Sequence, residues 1–306
     1  MYIKFKLLII SFLGILILFS CNNSTKKDGD SDKNELLEEF NPNDPTLVKF
    51  NGKLFSIPSP IQIALLSKDL NIPFDMNLLN STDKYSHYTT SFKQSLNLGV
   101  YGADLGYLNI YDQLPDAAQY FGVIKTMSKD LGIMNTFSQE TINRIERNNN
   151  NKDSLVFILS TIYRDVDSYL LDNDRDEVGV LIIAGGWIES IYIMSQLAKN
   201  TNNVEIIDRI GEQKSPLKNL IELLRPFYGN GNDVFDNFLE DLSNLLTLFD
   251  NIQHEYIYKE STVDVENKLT IINSETKTII SDQQLKEITE SIYNLRNWVV
   301  ENEKSQ

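Results

Sequence analysis

The sequence predicts a mainly α fold, a multi-helix bundle of about eight or nine helices with a small β hairpin or meander before the C-terminal helix. Three observations predict it. From Pro60 to about residue 253, apolar residues recur three and four apart. Short polar breaks such as "NNNN", "DND", "NTNN" and "GNGN" interrupt that spacing at intervals. After His254 it gives way to alternation of apolar and polar residues.

Taken in order, "VKFNGKLFSI" sets Asn51-Gly52 between two β-prone triplets, a strong short-range hairpin signal. "PSPIQIALLSKDL" then opens a helix, with Ser59 as cap and Pro60 in the first turn, where its missing donor costs nothing. The periodicity places helices near 60–71, 86–113, 116–131, 138–148, 153–172, 176–199, 203–227 and 231–253. Past His254, the pairs Tyr256/Tyr258, Val263/Val265 and Leu269/Ile271 alternate as a hairpin or meander would. A final helix is capped by Ser281 or Asp282. Its Leu285, Ile288, Ile292, Leu295 and Val299 share one face and close the core. No repeat near 34 or 40 residues is present, which argues against a solenoid.

The first 20 residues read as a secretory leader: Lys4 and Lys6 precede an apolar run from Leu7 to Phe19. That run is shorter than the roughly 20 residues a spanning helix needs, and "CNNSTKKDGDSDKNE" follows it at once. Its end, Leu18-Phe19-Ser20-Cys21, resembles the lipobox of bacterial lipoproteins, in which a small residue before the cysteine admits the lipoprotein signal peptidase. The resemblance implies cleavage before Cys21 and its acylation by palmitate-type chains. Cys21 is the only cysteine, so once acylated it leaves no thiol for a disulfide, and stability must come from core burial. Two or more acyl chains anchor stably. The expected address is the cell envelope, on the outer membrane facing periplasm or exterior, with the membrane contacted through the lipid.

Residues 21–45 then form the lipid anchor and a flexible tether, rich in Asn, Asp, Lys and Ser, reaching roughly 25 to 30 Å. Residues 46–306 form the helical domain. Loss of residues 1–20 removes two lysines and no acid, taking the net charge from −15 to −17. That balance disfavours nucleic acid and anionic membrane surfaces, both of which attract basic patches.

Two stretches break helix propensity. In "LGVYGADLGY", Gly99, Gly102 and Gly106 form one bare stripe, while Tyr101, Asp104, Tyr107 and Tyr111 lie on another face. Each glycine costs up to about 1 kcal/mol against alanine, a cost that close helix packing can offset. "VGVLIIAGGWIES" is apolar on every side as far as Ile188 and carries Gly185 and Gly186, with Glu189 one turn past Gly185. These two helices are expected to cross in contact. The stretches "IPSP" at 57–60, "LGVYGADLGY" and "GGWIES" resemble a family of helical envelope lipoproteins from Gram-negative anaerobes and their relatives, across most of the chain after the leader. No activity follows from that resemblance, so it carries over no catalytic residue.

Asp104 and Glu189 are the candidate chemistry. Buried carboxyls can divide acid and base roles, or be matched by a tyrosine hydroxyl, a backbone donor or a basic residue such as Arg164 in "LVFILSTIYRDV". "DNDRDEVG" from Asp172 has the first acids of a calcium loop, but Glu177 stands where glycine is required and Ile183 where the closing glutamate belongs. His87 and His254 are the only histidines and lie far apart, so no metal site and no cofactor is expected. No nucleophile elbow or phosphate loop is present. Trp187 and Trp298 read as core. The leading expectation is a lipid-anchored envelope protein binding a protein partner or small ligand through a groove near the tyrosine-rich face of Tyr101, Tyr107 and Tyr111. The alternative is an envelope hydrolase using Asp104 and Glu189 with Tyr101 or Tyr107.

Overall fold

A computed structural model describes residues 47–50, 53–56, 60–133, 175–264 and 269–301. Cys21, Arg164 and the helices expected at 138–148 and 153–172 lie outside the described residues. Among those residues are eight α-helices: α1 (Pro60–Asp69), α2 (Ser91–Ile110), α3 (Leu114–Asp130), α4 (Asp176–Thr201), α5 (Val204–Gly211), α6 (Lys214–Leu224), α7 (Asp233–Phe249) and α8 (Asp282–Val300). The fold is mainly α, with antiparallel strands before the last helix.

Local chemistry sets the ends. Thr90, Asn203 and Asn232 cap α2, α5 and α7 by accepting from first-turn backbone N–H groups. Ser281 and Gln284 form a reciprocal capping box on α8. Asn202, at φ 50°, ends α4 in the left-handed conformation that asparagine tolerates. Pro115 sits in the first turn of α3. The helix expected from residue 86 begins at Ser91, because residues 82–87 are a 3-10 turn and Thr90 supplies the cap.

The single helix expected over 203–227 is two, α5 and α6. Pro216 lacks a backbone donor and is tolerated only in a first turn, so the helix restarts at Lys214. Gly211 ends α5 where a side chain would strike Thr278 Cγ2, at 2.3 Å from an ideal Cβ. Gln213 then accepts from Trp187 Nε1–H at 3.2 Å.

α4 is the central element, buried along nearly its whole length. It is long and apolar enough to cross a bilayer, but its apolar stretch is enclosed by the body, as in a soluble core helix. Its most extensive contact is with α2, and α8, α5, α1 and α6 also pack on it. One apolar cluster runs through all these elements.

The strands make ribbons. β1 (Leu47–Phe50) pairs with β2 (Lys53–Ser56), with Phe50 opposite Lys53, the register that an Asn-Gly connection requires. After α7, β3 (Gln253–Ile257) pairs with β6 (Glu275–Ile279), and β4 (Thr262–Asp264) pairs with β5 (Leu269–Ile271), all antiparallel. The two pairs are nested, so the described strands from β3 to β6 make one hairpin arm, the small β element expected before the last helix.

Candidate functional site

The site begins with the two glycine stretches. An ideal Cβ on Gly185 would lie 1.8 Å from the Leu96 carbonyl oxygen, and one on Gly99 would lie 2.0 Å from that of Ile182 and 2.6 Å from the Gly186 nitrogen. The backbones of α2 and α4 therefore touch, and these two positions admit only glycine. Gly106 is buried and Gly102 half-buried further along α2. Close approach brings Asp104 of α2 within hydrogen-bonding reach of Glu189 of α4. Both carboxyls are fully buried.

Their environments differ. Glu189 receives a two-pronged contact from Arg296 of α8, Nε to Oε2 at 2.9 Å and Nη2 to Oε1 at 2.8 Å, the fork geometry that suits guanidinium and carboxylate. The Arg296 guanidinium also stands 4.5 Å over the Tyr192 ring. Burial opposes its charge, but Glu189, Asp104 and Tyr192 together outweigh burial and hold its pKa above the ordinary value. Asp104 has no cation of its own: Oδ2 accepts the Asn80 N–H at 3.1 Å, and Oδ1 has no donor. Burial first, and the Glu189 charge second, push the Asp104 pKa well above the usual carboxylate range. Burial and the Glu189 charge thus both favour the protonated form of Asp104. Asp104, Glu189 and Arg296 form one buried cluster joining α2, α4 and α8.

The phenols are consumed by the chain itself. Tyr101 donates to the Ser81 carbonyl at 2.9 Å, Tyr120 to that of Asn80 at 2.8 Å, and Tyr111 to that of Ile72 at 2.8 Å. Tyr107 accepts the Asp75 N–H at 3.3 Å and stacks on Phe74. Asn80 Nδ2 donates to Tyr88 at 3.0 Å, and Tyr88 in turn to the Val300 carbonyl at 3.1 Å. Burial raises the pKa of all five phenols. The tyrosine-rich face of α2 is thus no open groove; it clamps the segment from Ile72 to Tyr88 against the bundle.

The end of α8 is closed similarly. Lys93, buried near the start of α2, donates to the Trp298 carbonyl, with its Nζ 4.0 Å over the Trp298 ring, and Asn97 Nδ2 donates to the Val299 carbonyl at 2.9 Å. A cation and two polar side chains therefore serve carbonyls that a helix end leaves unpaired.

Of the residues singled out in sequence, Tyr101, Asp104 and Glu189 come together, while Tyr107 and Tyr111 lie at the far end of α2 beside Phe74. Asn80, Tyr88, Tyr120 and Arg296 were missed. Arg296 had a signal, an arginine beside Leu295 and four residues past Ile292 within the apolar arc of the last helix.

A second candidate is on the surface. Every described residue from Gln253 to Val263 is exposed, including Tyr256 at 64 % and Tyr258 at 73 %, and across the arm Ile272 is 67 % exposed. β6 rests on α5 through Thr278 against Gly211, which leaves β3 outermost. Comparisons with protein-family models, with curated proteins and with solved structures found no match.

Proposed function

We propose that this chain is a lipid-anchored envelope protein whose helical body binds a protein partner through the 253–279 arm. The exposed apolar arm is the observation that carries the reading: large apolar side chains clustered on a two-stranded ribbon mark an interaction surface, and such a ribbon is marginal in water without further strands or a covering surface. The rest of the chemistry supports binding over catalysis. Asp104 and Glu189 lack solvent access, Glu189 is paired with Arg296, and the phenols are spent on backbone carbonyls, so the hydrolase alternative gains no support from its own residues. The anchor rests on the leader and the lipobox-like Leu18-Phe19-Ser20-Cys21.

Two measurements test the reading. A photo-crosslinking residue at Ile272, activated in native membranes, is expected to yield an adduct with a protein; no adduct of any kind would remove the binding reading. Cys21→Ser is expected to abolish acyl labelling, and label retained by the variant would remove the anchor.

A further inference from the structure

We infer that the segment from Ile72 to Tyr88 is a pH-gated strap, closed over Asp104 while that carboxyl is protonated and lifting from the bundle as it ionises. The strap contains no α-helix, only two short 3-10 turns at Met76–Leu78 and Thr82–His87, so few backbone bonds of its own resist its opening. Its hold on the bundle centres on Asn80, which is 1 % exposed. Asn80 donates its N–H to Asp104 Oδ2, accepts from Tyr120 at its carbonyl and donates Nδ2 to Tyr88. Neither Asn80 Oδ1 nor Asp104 Oδ1 receives a donor. The closed strap therefore leaves two buried acceptors that hydration would satisfy.

The groups around Asp104 set the direction of the switch. Glu189 faces it from α4, and Arg296, forked on Glu189, from α8. The phenols of Tyr101 on α2, Tyr120 on α3 and Tyr192 on α4 stand within its field, all kept neutral by burial. From the strap, Tyr88 meets the Tyr101 ring, while Asp75 and Lys84 are half-buried and Asp83 and His87 are exposed. One guanidinium thus serves two carboxyls, and ionised Asp104 adds a second negative charge beside it. Arg296 and the Asn80 N–H favour the ion, but burial and Glu189 outweigh them. Lifting the strap brings water to Asp104 while α2 and α4 stay in backbone contact at Gly99 and Gly185 and Arg296 keeps α8 on α4. The closed form therefore binds the Asp104 proton more tightly than the open form. Closure is fully favoured below the open-form pKa and weakens as pH rises towards the closed-form value, the opening constant growing up to about tenfold per pH unit.

The test is residue-resolved hydrogen exchange of the full chain across a pH series, each rate divided by the intrinsic exchange rate at that pH. Opening read at the bonded amides of Leu78, Leu79, Asn80 and Tyr88 should rise by up to about tenfold per pH unit, while amides within α2 and α4 do not follow. Asp104→Asn should abolish the rise, and His87→Gln, at an exposed strap position, should leave it intact. Tyr120→Phe should raise opening at every pH and keep the slope. Circular dichroism confirms that each variant is folded. Carbon NMR titration of the Asp104 carboxyl needs no variant, and its midpoint should fall where the rise in opening levels off. Opening that is independent of pH, or a rise that survives Asp104→Asn, overturns the proposal. So does a rise shared equally by α2 and α4, which makes the whole bundle the moving element, and so does an Asp104 that titrates at its ordinary 3.8.

Discussion

Gly185→Ala is the most direct probe of the helix crossing. The added methyl would sit 1.8 Å from the Leu96 carbonyl oxygen and 2.7 Å from its carbon, and both belong to backbone that cannot rotate away. Reaching ordinary contact forces α2 and α4 apart by more than 1 Å, and gaps of about 0.5–1 Å already forfeit a quarter to a half of each dispersion contact. Overpacking costs about 1–3 kcal/mol and sometimes more, while alanine returns up to about 1 kcal/mol of helix propensity. With the cost at the upper end of that range, as a 1.8 Å approach to backbone demands, a net loss of about 2 kcal/mol follows, or a fall of roughly 4–8 °C in Tm for a domain of this size. Thermal and urea unfolding followed by far-UV circular dichroism read it out. Gly122→Ala is the control: it lies in α3 with nothing within 4 Å of its Cβ, and should stabilise by up to about 1 kcal/mol. A Gly185→Ala protein as stable as Gly122→Ala would refute the claim that the backbones touch.

Arg296→Met strands the Glu189 charge in the core and should cost about 3–5 kcal/mol; adding Glu189→Gln should recover much of this loss in equilibrium urea unfolding. Because burial and Glu189 raise the folded Asp104 pKa above its ordinary 3.8, the stabilisation from its proton is complete below that value. It is lost as pH rises towards the folded value, at about 1.4 kcal/mol per pH unit. Asp104→Asn keeps a donor to Glu189 and an acceptor for the Asn80 N–H, so it should flatten this slope, and unfolding across a pH series would expose an unchanged one. Tyr120→Phe removes the donor to the Asn80 carbonyl and should cost about 0.5–1.5 kcal/mol, with faster hydrogen exchange confined mainly to residues 72–88.

What the sequence made legible was local or periodic. The cap at Ser281, the glycine stripe of α2 and the apolar girth of α4 each declare themselves within one or two turns. The break between α5 and α6 was also readable, since Pro216 forbids an uninterrupted helix, but the apolar spacing on either side masked it. The partner of Glu189 was not readable in this way. Arg296 lies 107 residues away, and only packing of α8 on α4 selects it over other basic residues. The nested register of the arm is likewise long-range: alternation identifies strands, while the pairing of Gln253 with Ile279 depends on where the ribbon meets α5. The phenols were read correctly as a face and incorrectly as a groove, because the face is filled by a loop whose own sequence has no strong periodicity.

The closure of α8 by Lys93, Asn97 and Tyr88 has a consequence for biogenesis. The carbonyl that Tyr88 serves lies 212 residues further on, so the bundle's seam stays open until α8 is present. A nascent chain that lacks α8 holds Glu189 without its guanidinium and the start of α2 without the helix end it covers. A truncation product that has lost its tail exposes an uncompensated charge and an apolar seam, the kind of lesion that surveillance proteases recognise.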